Sequence, residues 1–194
     1  PRSDQDIEKI NETRALFDHL SGFKSVKLIK RDENWGLAKS IIHGVTETLK
    51  TYPHVIVMED DLEVSPYFLR YMLEGLNLYQ NEEKVASIHG YCLPIQSPLP
   101  ETYFLRGADC WGWATWRRAW QHFEPNGKTL LSDLKTKGLT KAFDMNGTLP
   151  NVQMLKDQIE GKNNSWAIRW HASSFLMNMM TLYPGISLVD NIGH

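Results

Sequence analysis

The chain has too few cysteines to staple a fold. Cys92 and Cys110 are its two thiols in 194 residues, which makes no disulfide framework, and their spacing is not that of a CxxC zinc motif. That scarcity fits a reducing compartment, so a cytoplasmic or membrane-peripheral setting is expected. Long apolar runs are missing as well: each stretch is short and broken by charge, so no transmembrane segment is expected. No secretory signal opens the sequence. There is no surplus of positive charge either. A net charge of -2 argues against a nucleic-acid partner, because phosphate binding needs a basic surface. Low-complexity tracts and 20–50-residue repeats are absent. What remains, 42% hydrophobic and 23% charged, reads as a single soluble domain over residues 1–194. Tryptophan is the abundant exception. There are seven, and all but Trp35 lie in residues 111–120 and 166–170, a density that suits either a core or a platform for sugar rings.

Periodicity gives the organisation. Residues 3–20 predict an amphipathic helix, with Ile7, Ile10, Ala15, Leu16 and Leu20 near helical spacing and Ser3 as its N-cap. Residues 25–31 alternate apolar and polar as a strand does. A turn at Asn34-Trp35-Gly36 leads to a helix over 37–49. The run Val55-Ile56-Val57-Met58 is apolar on consecutive positions, which predicts a strand buried on both faces of a parallel sheet over 54–58. A helix over 65–78 and a strand over 85–89 follow. Helices are expected near 130–135, 152–159 and 166–179, and strands near 181–183 and 187–189. Such alternation predicts an α/β fold with a mostly parallel central sheet. It opens on a helix where such folds open on a strand, so one or more first strands are expected to be missing.

Glu59-Asp60-Asp61 come directly after the predicted buried strand, where open α/β sheets collect ligands. Like charges packed this closely need a cation or hydrogen-bond donors. Hard oxygen ligands favour Mg²⁺ or Mn²⁺, which can bridge nucleotide phosphates. The plainer alternative is a solvated acidic turn leading into the next helix.

The segment from Val55 through Glu59-Asp60-Asp61-Leu62 to Phe68 resembles the acidic signature of GT-A glycosyltransferases, above all that of the N-acetylglucosaminyltransferase I family and its bacterial relatives. The stretch from Arg31 through Asn34-Trp35-Gly36 to Ile41 is similar to the region after the base-binding strand in family 2 enzymes. Gly112-Trp113 resembles the acceptor-side Gly-Trp of the same pocket. The resemblance implies a Rossmann-like GT-A core, with residues 1–90 as the donor-binding half and 91–194 as the acceptor-side half. It implies a nucleotide-sugar donor, UDP-linked by preference, and a glycan or other hydroxyl acceptor, as in polysaccharide synthesis. Asp61 would then coordinate the metal, and Asp60 and Glu59 would hydrogen-bond the donor's ribose or sugar hydroxyls. Arg31 and Lys39 would neutralise diphosphate charge, though a solvated helix position explains Lys39 equally simply, and Asn34 and Gly36 also suit a plain turn. His194 stands where some GT-A enzymes place a further metal ligand.

Trp113, Trp116 and Trp120 have the spacing of one helix face, which is more often core than ligand platform. Trp111 and Trp113 flank Gly112, so this pair is the better candidate for a ring packed on a sugar. An inverting transferase also needs a carboxylate to take the acceptor's proton. Relatives supply it from a Trp-Asp pair, but here Trp166 is followed by Ala167. The nearest carboxylates are Asp157, preferred, and Glu160, with surface helix positions as the alternative. Arg169 is expected to meet a phosphate or an ion-pair partner, and His171 to be structural. His89, Asp109 and Cys92 fall near strand ends and read as loop residues.

The expected activity is therefore metal-dependent transfer of a hexosyl or N-acetylhexosaminyl group, with inversion. A nucleotidyltransferase making nucleotide-sugars is an alternative, but no Gly-rich phosphate loop appears. A non-catalytic sugar-binding module is another, favoured by an all-β pattern that this chain lacks.

Overall fold

The computed structural model describes residues 4–17 and 20–193. The chain divides after Trp35 into two compact units. The first holds α1 (Asp4–Leu16), followed by an irregular segment whose Arg31 carbonyl accepts from Arg14 of α1 at 3.1 Å. The expected strand over 25–31 does not form. Its alternation is real, but a strand needs a ladder partner, and the described part of this unit offers none; Val26 and Leu28 stay exposed. The Ser3 cap lies outside the described residues.

The second unit contains, besides one 3-10 turn at Met145–Gly147, every other helix and strand of the described residues. These are α2 (Gly36–Thr51), β1 (His54–Val57), β2 (Leu62–Val64), α3 (Phe68–Leu78), β3 (Val85–His89), β4 (Thr102–Arg106), β5 (Trp113–Trp116), α4 (Arg117–Trp120), α5 (Gly127–Thr136), α6 (Thr140–Phe143), α7 (Asn151–Ile159), α8 (Trp166–Leu176), β6 (Met180–Pro184) and β7 (Val189–Asn191). Five strands form one sheet in the order β1-β5-β3-β6-β4, and β2 pairs with β7 in a separate two-stranded sheet. The fold is mixed α/β.

The mostly parallel sheet expected from sequence is corrected: only β3 and β6 run parallel, while β1–β5, β3–β5 and β4–β6 are antiparallel. The reason lies in what an apolar run reports. Val55 and Val57 pack with one core cluster and Ile56 with another. The run therefore reflects helices on both faces, and it carries no information on strand direction. The segment of tryptophans read as a helix face is likewise a strand, β5, with Trp113 on one face and Ala114 and Trp116 on the other. The two expected halves interleave, since β5 from the later part sits between β1 and β3.

One face of the sheet is covered by α2, α4 and α8, around Trp113, Trp120, Trp166 and Trp170. The other is covered by α3, around Phe68, Met72 and Leu76. A satellite core joins α5, α6 and α7 to the outer side of α8. Arginines close the helix ends, where carbonyls lack intrahelical donors. Arg117 donates to the carbonyls of Leu49, Lys50 and Tyr52 behind α2. Arg118 donates to Tyr79, Gln80 and Val85 behind α3. Arg106 donates twice to Phe175 near the end of α8.

Candidate active site

Strand register gathers the site at one end of the sheet. Val57, the last residue of β1, lies opposite Trp113, the first of β5, and Trp113 also lies opposite His89, the last of β3. The acids after β1, the loop before β5 and the end of β3 therefore share one edge. Glu59, Asp60 and Asp61 form the tight connection from β1 to β2, with the Leu62 N–H donating to the Glu59 carbonyl. The β7 end passes over them: the Ile192 N–H donates to the Asp61 carbonyl at 2.9 Å, and a Cβ on Gly193 would collide with Asp61 Oδ2. Glu59 and Asp61 are half-buried and Asp60 is exposed. Burial, then the charges of Asp61 and Asp60, raise the Glu59 carboxyl above its ordinary range. Among the described residues, no ion pair neutralises any of the three acids.

The loop before β5 is fastened at both ends. The Gly107 N–H donates to the Met179 carbonyl at 3.0 Å, and the Gly90 N–H to the Gly112 carbonyl at 2.7 Å. His171 Nδ1 lies 2.8 Å from the Ala108 carbonyl oxygen, and its burial keeps the ring below its ordinary pKa, in keeping with the structural role expected of it. Gly112 adopts φ +58°, a turn that glycine makes without strain. Trp111 is 37% exposed, with its ring edge-on to Tyr91 at 4.8 Å. Trp113 is different. It is fully buried and stacks on Trp166 at 5.3 Å, so it presents no face to a sugar, and its place in the expected Trp111–Trp113 platform is corrected. The alternation of β5 turns it into the tryptophan cluster.

The remaining candidates are dispersed. Lys39, in the first turns of α2, lines a groove of about 450 Å³ with Ile42, Thr46, Asn164 and Arg169. Because α2 leads directly back into β1, its first turns lie towards the acid end of the sheet. Arg31 and Asn34 belong to the first unit, where the Arg31 guanidinium stacks over Trp35 at 4.4 Å. Asp157 accepts from Gln153 at 2.9 Å and shares Lys162 with Glu160, so both are held within the end of α7 and its turn. Arg169 donates to the Ser165 and Pro125 carbonyls rather than to an acid. His194 lies outside the described residues.

Asp109 was passed over in the sequence, yet it sits at the shared edge. Its Oδ2 is 3.7 Å from Nε2 of buried His89, and its Oδ1 accepts from the Cys110 N–H at 2.8 Å. The Cys110 thiol is pushed up by burial, then by the charges of Asp109, Glu59 and Asp61. No local pattern marks Asp109; only the strand register brings it there.

Residues 8–89 match the family model of glycosyl transferase family 2, a span that includes the acid turn and ends at His89. The match covers less than half of the chain, and it makes residues 8–89 similar to that family. No curated protein matches the chain. No helix among the described residues is long and apolar enough to cross a membrane.

Proposed function

We propose that the chain transfers a sugar from a nucleoside diphosphate to a hydroxyl acceptor, with inversion and with a divalent cation held at Asp61. The observation that carries this reading is the acid turn: three carboxylates at the end of a sheet strand, with no protein cation paired to them among the described residues. No group of three or more His, Cys, Asp or Glu gathers as a complete metal site among the described residues. A Mg²⁺-like ion does not need one, since it is commonly held by one or two carboxylates together with substrate phosphates. Mn²⁺ or Mg²⁺ bound there would stabilise the charge of the departing diphosphate.

The side chains take the remaining roles. Glu59 and Asp60 hydrogen-bond donor hydroxyls, Lys39 faces diphosphate charge, Gly112 shapes the loop beside the donor, and the exposed Trp111 ring packs on a sugar face. A UDP-linked hexose or N-acetylhexosamine is the favoured donor and a glycan hydroxyl the favoured acceptor, in a cytoplasmic or membrane-peripheral setting. For the proton of the attacking hydroxyl the sequence nominates Asp157 and then Glu160. Both are engaged by Lys162, so the role is open to a carboxylate nearer the strand ends.

Calorimetric titration with UDP and with GDP, each with and without Mn²⁺, tests the reading. Manganese-dependent binding of one nucleotide is expected, and Asp61→Ala should abolish it without lowering the melting temperature. Binding that is unchanged in Asp61→Ala would remove the metal assignment; no binding of either nucleotide by folded protein would remove the transferase reading.

A further inference from the structure

We infer that Asp109, backed by His89, is the carboxylate that takes the proton from the attacking hydroxyl. The inference rests on the glycosyl-transfer reading and adds a residue to it. Three independent features support it. Asp109 stands on the loop that enters β5 beside the end of β1, the edge that carries the acid turn. It is half exposed, open to a substrate, while the loop on either side is pinned through Gly107, Ala108 and Gly112. Behind it, His89 is 1% exposed, and among the described residues neither of its ring nitrogens has a hydrogen-bond partner. Buried imidazoles are ordinarily satisfied. This one directs Nε2 at Asp109 from 3.7 Å, boxed by the rings of Tyr91 and Tyr183.

A small rotation of the Asp109 side chain closes that gap to a hydrogen bond. A neutral His89 carrying its proton on Nε2 then fixes Oδ2, while Oδ1, which accepts from the Cys110 N–H, keeps a second lone pair for the substrate. In the step itself the acceptor oxygen forms a bond to the anomeric carbon, and the bond from that carbon to the diphosphate oxygen breaks. The diphosphate leaves with the electron pair, and the hydroxyl proton passes to Asp109. His89 is a positioning residue, since it acts through Asp109.

The test uses UDP-glucose and UDP-N-acetylglucosamine with Mn²⁺ and follows release of UDP, with water as the acceptor. Asparagine at 109 still accepts from the Cys110 N–H, so Asp109→Asn should keep the loop, the melting temperature and the manganese-dependent affinity for UDP. Its turnover should fall by about 100-fold or more, the usual scale of a lost general base, with Asp109→Glu recovering part of the loss. Turnover in Asp109→Asn equal to that of the parent would overturn the inference, as would loss of UDP binding together with melting temperature, which would mark a structural role. Loss in Asp157→Asn with full turnover in Asp109→Asn would hand the base to α7. A parent chain that neither binds UDP nor releases it from either donor would instead overturn the functional reading beneath.

Discussion

Gly90 and Gly112 meet where β3 leaves the sheet, and the reason neither can carry a side chain is visible in their neighbours. A Cβ on Gly90 would lie 2.6 Å from the Phe68 ring, 2.7 Å from Val189 and 2.9 Å from the Gly112 carbonyl oxygen. A backbone atom cannot rotate aside, so Gly90→Ala is expected to cost about 1–3 kcal/mol, as overpacked sites do, read as a lower denaturant midpoint. A different kind of consequence follows from Trp111 and Trp113, two residues apart and opposite in fate. Trp111→Ala should weaken binding of a nucleotide-sugar more than that of the bare nucleotide, with little change in melting temperature. Trp113→Ala should instead destabilise the fold by about 3–5 kcal/mol, as deletion of a buried aromatic does.

Helices were the elements most readable from sequence. The helix expected over 37–49 is α2 (Gly36–Thr51), and that over 152–159 is α7 (Asn151–Ile159), because a helix's spacing is local. Strands fared according to how much their identity depends on partners. β3 was placed with the bounds expected, but β2 was missed, being three residues paired only with the distant β7. β4 was missed too, although Tyr103-Phe104-Leu105 is a run suited to a strand. The acid turn was legible because the apolar run of β1 stops against it. Asp109 was not, since its neighbours come from β1 and β3 and no local pattern encodes them. The arginines after β5 were equally silent, for their partners are carbonyls. Arg118 serves three of them at 2.8–2.9 Å, so Arg118→Ala should lower stability by about 2 kcal/mol, with nucleotide binding unchanged.

Across the whole molecule, two buried imidazoles set a response to acid. Burial lowers the pKa of His89, offset in part by the charge of Asp109, and that of His171, offset in part by its hydrogen bond to the Ala108 backbone and then by Asp109. Both rings are neutral in the folded chain and take up protons once it unfolds below their ordinary value of 6.5. Their contribution is thus fully present above pH 6.5 and is lost as the pH falls through the lower folded values. The melting temperature should drop as the buffer is taken from pH 7.5 to 5.5, with net proton uptake on unfolding at the lower pH. A melting temperature flat across that window would show that the rings are solvated. The small β2–β7 sheet has a consequence of another sort. The acids precede most of the main sheet in chain order, whereas β7, which closes over them, follows every main-sheet strand among the described residues. A nascent chain can therefore pair the strands of its main sheet before β7 is available to pair with β2 beside the acid turn.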